Sequence, residues 1–151
     1  MMLTELVAPA SILVPLEAPD RETAIAKLVD ALALDGGAPE RDKLRAAVLA
    51  REAAGSTGLG NGVAIPHART PRVRAPRLAV GRAAAPIDFK AADGEPVSLI
   101  FLLAVPEADP RAHLRVLAAL SALASDRKSL RALQRAETAE EIRERLASVS
   151  F

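Results

Sequence analysis

The chain has no cysteine, no tryptophan and no tyrosine, and only three phenylalanines and two histidines among its 151 residues. Without cysteine there is no disulfide framework, no thiolate metal site and no cysteine nucleophile. Two histidines without thiolates rule out a zinc site built only from nitrogen and sulfur, and the sequence predicts no bound metal. Phe89, Phe101 and Phe151 are scattered, so there is no aromatic platform on which single-stranded bases could stack. Twenty Lys and Arg against nineteen Asp and Glu leave a formal charge of +1. That balance is too even for a protein that coats nucleic acid or an anionic membrane. No apolar run approaches the ~20 residues a bilayer span needs. The opening Met1-Met2-Leu3-Thr4-Glu5-Leu6 lacks the basic region of a signal peptide. The expectation is a cytoplasmic protein with no direct membrane insertion and no nucleic-acid partner.

What is present fits a folded chain. The sequence is 50% hydrophobic and 26% charged, an ordinary globular balance. A single domain over residues 1–151 is expected, burying roughly two-thirds of its unfolded surface, with a core of Leu, Val, Ile and Ala.

Residues 11–16 read as a short strand that Pro15 confines to an edge. A helix follows Asp20 as N-cap, with Ile25, Leu28, Val29 and Leu32 on one face, and Gly36-Gly37 ends it. A second helix spans about 39–53. Residues 54–76 show no period and are dense in Gly, Pro and Arg, which predicts a long ordered loop with a brief strand near 63–65. Strands follow near 78–83 and 97–105, the second apolar throughout as a central strand is. Asp109-Pro110 predicts the start of a helix running to about Ser125, and amphipathic helices cover about 127–135 and 138–147. This order predicts an α/β fold, a three-layer α/β sandwich with a mixed central β-sheet flanked by helices.

The segment rich in chemistry is Arg51-Glu52-Ala53-Ala54-Gly55-Ser56-Thr57-Gly58-Leu59-Gly60-Asn61-Gly62-Val63-Ala64-Ile65-Pro66-His67-Ala68-Arg69. Four of the eight glycines fall between 55 and 62. Such a stretch can turn successive N–H groups toward an anion, or it can be a plain connection. No Gly-Lys-Ser/Thr follows it, and no strand–G-x-G-x-x-G–helix surrounds it, so neither a P-loop nor a dinucleotide site is indicated. Pro66 holds Ile65 extended and fixes the approach to His67. His113 falls near the start of its helix on the stripe of Leu117, Leu120 and Ala124. It either lines a cleft or is a core histidine satisfied by a carbonyl. At the positive end of the helix dipole its imidazole is expected to be neutral. Arg51 sits three residues beyond Val48 and seven beyond Leu44, which places it on the apolar face of its helix. There it is paired with a carboxylate or awaits a phosphate. Arg69, Arg72, Arg74, Arg77 and Arg82 form an acid-free basic run, either solvated or a field for an acidic or phosphorylated partner.

The run Gly-Ser-Thr-Gly-Leu-Gly-Asn-Gly-Val-Ala-Ile-Pro-His-Ala-Arg after Arg51-Glu52 resembles the active-site signature of type 2 EIIA domains. These are the fructose, mannitol and nitrogen-regulatory class of the bacterial phosphoenolpyruvate-dependent phosphotransferase system. The similarity continues through Pro86-Ile87-Asp88-Phe89, Asp93-Gly94-Glu95-Pro96-Val97 and His113-Leu114, over roughly residues 5–147. It implies the α/β sandwich, His67 as the residue transiently phosphorylated on Nε2, and His113 and Arg51 as its active-site companions. Loop residues Ser56, Thr57, Gly58, Gly60 and Asn61 are candidates to bind the phosphoryl group. It further implies a relay without a cofactor, fed by an HPr-like phosphocarrier protein. The acceptor is then the cysteine of an EIIB domain in a sugar system, or the chain instead regulates a target protein by its phosphorylation state. The alternative is a non-catalytic binding module of the same fold.

Overall fold

The apolar run Val97–Pro106 forms strand β6, and every residue in it except Ser98 is buried. The computed structural model, which describes Met1–Phe151, is organised around that strand. On one side β6 pairs antiparallel with β5 (Arg77–Ile87), which in turn pairs parallel with β1 (Ile12–Leu16). On the other side two short strands follow each other along it. These are β3 (Val63–Ala64), in register with Leu99 and Ile100, and β4 (His67–Thr70), in register with Leu103 to Pro106. A last strand, β2 (Gly58–Gly60), runs antiparallel to β3 and closes that edge. The sheet therefore has six strands and mixed direction.

The long loop expected over 54–76 contains the brief strand expected near 63–65, as β3, and two further strands, β2 and β4. Segments of two to four residues are too short to show a period, and β3 and β4 exist because β6 offers its backbone groups to them. Pro15 does stand on an edge strand, where a missing N–H costs no ladder bond.

Alternation along β6 supplies two cores. Leu99, Phe101, Leu103 and Val105 face helices α3 (His113–Ser125), α4 (Arg127–Gln134) and α5 (Ala139–Leu146). Ile100, Leu102 and Ala104 face α1 (Arg21–Ala31) and α2 (Ala38–Ala54). Two helical layers around one sheet make the three-layer α/β arrangement. No helix is long and apolar enough to cross a membrane.

The helix starts follow local chemistry with one exception. Asp20 accepts from the Thr23 N–H at 2.7 Å, and Asp126 and Thr138 cap α4 and α5 in the same way. The exception is α3, which begins at His113 instead of just after Asp109. Asp109 and Pro110 are used in a turn, closed by the Ala112 N–H on the Asp109 carbonyl at 3.1 Å. Ala112 precedes the helix with no side chain able to cap it. The delay makes His113 the first helical residue.

Candidate active site

The sheet is interrupted between β3 and β4 at Pro66, and the backbone groups around the break are all engaged. The Pro66 carbonyl accepts from the Leu103 N–H at 2.9 Å, and the Ile65 N–H donates to the Thr57 carbonyl at 3.2 Å. His67 then opens β4 opposite Leu103 and is half-buried. Its Nδ1 lies 2.9 Å from the Ile65 carbonyl oxygen. A carbonyl can only accept, so the neutral ring carries its proton on Nδ1 and leaves the Nε2 lone pair free. The two-residue period of the strand puts Arg69 on the same face as His67, while Thr70 turns inward.

His113 comes from the opposite direction, at the first residue of α3. The two ring centroids are 5.9 Å apart and the planes differ by 27°. His113 is half-buried, and its Nδ1 is enclosed without a well-formed hydrogen bond. Burial above all, with the nearby His67 and Arg69, holds its pKa below the ordinary histidine value; the Pro110 carbonyl pulls the other way. The helix N-terminus disfavours a cation there as well. The ring is accordingly neutral at pH 7, the state its position in the sequence predicts.

Arg51 departs from expectation. The buried stripe of α2 is Glu40, Leu44, Val48 and Glu52, and Arg51 is exposed. Steps of four from Leu44 and Val48 land on Glu52, so the flank residue Arg51 escapes the core. Its guanidinium donates to the Gly55 carbonyl at 2.6 Å and takes part in none of the ion pairs. The carboxylate partner considered from sequence is therefore not there. Arg51 instead borders two adjoining clefts, each of about 220 Å³ and each shared with His67. One is completed by Ala68, Arg69, Val105 and His113. The other runs past the loop at Ser56–Leu59 to Leu117 and Ser121.

Of the five loop candidates, Ser56, Thr57 and Gly58 line the second cleft with His67, whereas Gly60 and Asn61 line neither. The donors of this loop are mostly spent within the chain. The Ser56 hydroxyl donates to the Phe89 carbonyl at 2.6 Å and accepts from the Gly58 N–H at 3.0 Å. The Thr57 N–H and hydroxyl both go to the Glu52 carboxylate, and the Asn61 N–H goes to Asp93 Oδ2 at 3.1 Å. The loop walls the cleft more than it opens a ring of free amides.

Two residues of this neighbourhood were overlooked in the sequence. Arg69 was seen only as one of a basic run; the His-x-Arg spacing marks it once 67–70 is known to be a strand. Glu52, 2% exposed, is the buried end of the α2 stripe. Two leucines nearby are open to solvent: Leu59, which lines the second cleft, at 46%, and Leu114, next to His113 in sequence, at 54%. Two cations, two imidazoles and exposed apolar side chains suit an anion delivered by another protein.

Comparison with known proteins agrees with that composition. Residues 5–149 match the family described as "Phosphoenolpyruvate-dependent sugar phosphotransferase system, EIIA 2". The chain is 40% identical over 140 residues to the fructose-specific EIIA component of Haloferax volcanii, covering 91% of this chain and 90% of that protein. It is 39% identical over 140 residues to a nitrogen regulatory protein of Bradyrhizobium diazoefficiens, covering 91% of each. It also matches the fructose-specific EIIABC component of Bacillus subtilis, of which it spans only 22%. The crystal structure of nitrogen regulatory protein IIA-Ntr from Neisseria meningitidis superposes with a TM-score of 0.86 at 35% identity, covering 95% of this chain and 97% of that one. The chain belongs to the EIIA 2 family of the phosphoenolpyruvate-dependent sugar phosphotransferase system.

Proposed function

We propose that the protein is a phosphoryl relay in which His67 Nε2 accepts a phosphoryl group from an HPr-like phosphohistidine protein and passes it on. One observation carries this reading. The His67 ring is fixed by its Nδ1 on the Ile65 carbonyl, so its free lone pair is the one at Nε2, in a cleft bordered by Arg51 and Arg69. In the forward step the P–N bond to the donor imidazole breaks as the P–Nε2 bond forms, and the donor ring leaves with its electron pair. The proton on Nδ1 stays in place, held by the Ile65 carbonyl. The phosphorylated ring then carries positive charge, which keeps it a good leaving group for the next transfer. Phosphoryl transfer asks mainly for positioning and for charge around the equatorial oxygens. Arg51 and Arg69 supply cations, and neutral His113 supplies a hydrogen-bond donor 5.9 Å away between ring centroids. No cofactor takes part. Leu59 and Leu114 form the apolar contact on which donor and acceptor dock in turn, and docking excludes the water that would hydrolyse the phosphohistidine.

The acceptor is an EIIB-type domain or a regulatory target. Relatives named for fructose and for nitrogen regulation match the chain almost equally. The test is labelling with radioactive phosphoenolpyruvate, enzyme I and HPr. Acid-labile, alkali-stable label is expected on the wild type and none on His67→Ala; label surviving in that variant refutes the assignment. Chase of the label onto an EIIB domain separates the sugar role from the regulatory one.

A further inference from the structure

The geometry points to Glu52 as the positioning residue that fixes the orientation and tautomer of His67, a role that rests on the relay reading for its catalytic consequence. A continuous series of hydrogen bonds joins the two residues. Glu52 Oε2 accepts from the Thr57 N–H at 3.2 Å and Oε1 accepts from the Thr57 hydroxyl. The Thr57 carbonyl accepts from the Ile65 N–H at 3.2 Å. The Ile65 carbonyl then accepts from His67 Nδ1 at 2.9 Å. Thr57, Ile65 and His67 all line one cleft, and Glu52 holds Thr57 from behind it.

The energetics single out Glu52. It is 2% exposed and faces no cation within ion-pair distance. A buried carboxylate without a cation is costly unless its oxygens are satisfied, and here each oxygen is satisfied by the same residue, Thr57. A leucine would continue the stripe of Leu44 and Val48 more cheaply. What the carboxylate adds is a two-point grip on Thr57, through its N–H and its hydroxyl, which restricts how the residue can turn about its Cα. The grip holds the Thr57 carbonyl toward Ile65 and so holds the Ile65 carbonyl toward the imidazole. The neighbouring Arg51 donates to Gly55 at 2.6 Å, so one helical turn clamps the loop at 55 and at 57 while placing a cation in the cleft. The phosphoryl acceptor is thereby oriented from the helical layer on the far side of the sheet from His113.

The experiment pairs nitrogen-15 NMR of the histidines in the unphosphorylated protein with the rate of phosphoryl transfer from HPr. The wild type should show His67 protonated on Nδ1. In Glu52→Leu, which fills the space without accepting, His67 should become a mixture of tautomers and transfer should slow roughly 10- to 100-fold, the scale of a small misplacement. In Glu52→Gln the side-chain carbonyl can take the Thr57 N–H and the amide can donate to the Thr57 oxygen, so tautomer and rate should return to within a few-fold of wild type. Thr57→Val, which removes one of the two holds without changing volume, should give a smaller loss with partial mixing. A folded Glu52→Leu protein with the wild-type tautomer and rate would overturn the proposal. So would a Thr57→Val protein indistinguishable from wild type, or a Glu52→Gln protein as damaged as Glu52→Leu, since charge and not the grip would then matter. The tautomer readout needs no phosphoryl donor. Absence of label on wild-type His67 would therefore sink the relay while leaving the role of Glu52 to be judged on its own.

Discussion

The imidazoles of His67 and His113 are near-parallel neighbours held by unlike elements, one at the start of a strand and one at the first residue of a helix. Their surroundings give them different work. His67 has a carbonyl on Nδ1 and a free Nε2, whereas His113 is kept neutral by burial and by the charges beside it.

Replacing His113 with alanine should therefore slow transfer without changing the site of labelling. Loss of one preorganised donor to a charged transition state costs about 100-fold. Rapid-quench transfer from labelled HPr measures the rate, and digestion should still find the label on His67. An unchanged rate would remove His113 from the mechanism.

The lowered pKa of His113 also predicts how stability responds to acid. An imidazole that is harder to protonate in the folded chain takes its proton first in the unfolded chain, near the ordinary histidine value of 6.5. Unfolding free energy should hold above that pH, fall as pH drops toward the folded pKa, and level off below it. Urea titrations between about pH 7.5 and about pH 5.5 should show this decline in the wild type and a flatter profile in His113→Gln. Equal profiles would mean that His113 titrates normally.

Arg51 and Arg69 should be separable by salt. Arg51 lines both clefts at His67, so Arg51→Ala should slow the transfer step itself by roughly 100-fold at any ionic strength. Arg69 lines only one of the two, at its edge. Arg69→Ala should mainly slow capture of the phosphorylated donor, with the deficit shrinking as salt screens the attraction. Transfer rates across a sodium chloride series distinguish the two; identical salt dependence in both variants would contradict the division.

Phe101 stands at the middle of β6 and is 1% exposed in the core beneath α3 to α5. Phe101→Ala should cost about 3–5 kcal/mol of stability, read from the urea midpoint. A loss below ~1 kcal/mol would show that this core can collapse around the gap.

Much of this was legible in the sequence where periods are long. The apolar run of β6, the stripe of α1 with its Asp20 cap and the edge position of Pro15 follow from residue order and elementary sterics. β3 is the brief strand expected near 63–65, but β2 and β4 were not legible, because three or four residues carry no period and β4 takes its partner far downstream at Leu103–Pro106. That omission also hid Arg69, whose side is defined only once 67–70 is extended. The structure brings His67, His113 and Arg51 to one cleft. The side Arg51 takes was misread because its spacings of three from Val48 and seven from Leu44 suited an inward position, while the stronger four-residue series led to Glu52. The start of α3 was placed early because Asp-Pro is a frequent helix opening, and here it makes a turn first.

The break at Pro66 has a consequence for traffic through the site. His67 begins a fresh strand laid against β6, which is bonded along both its edges, so the ring is held by the middle of the sheet. In the proposed relay, motion during a handover then belongs to the visitors: donor and acceptor would bring phosphorus to a fixed berth and be recognised by what their surfaces share.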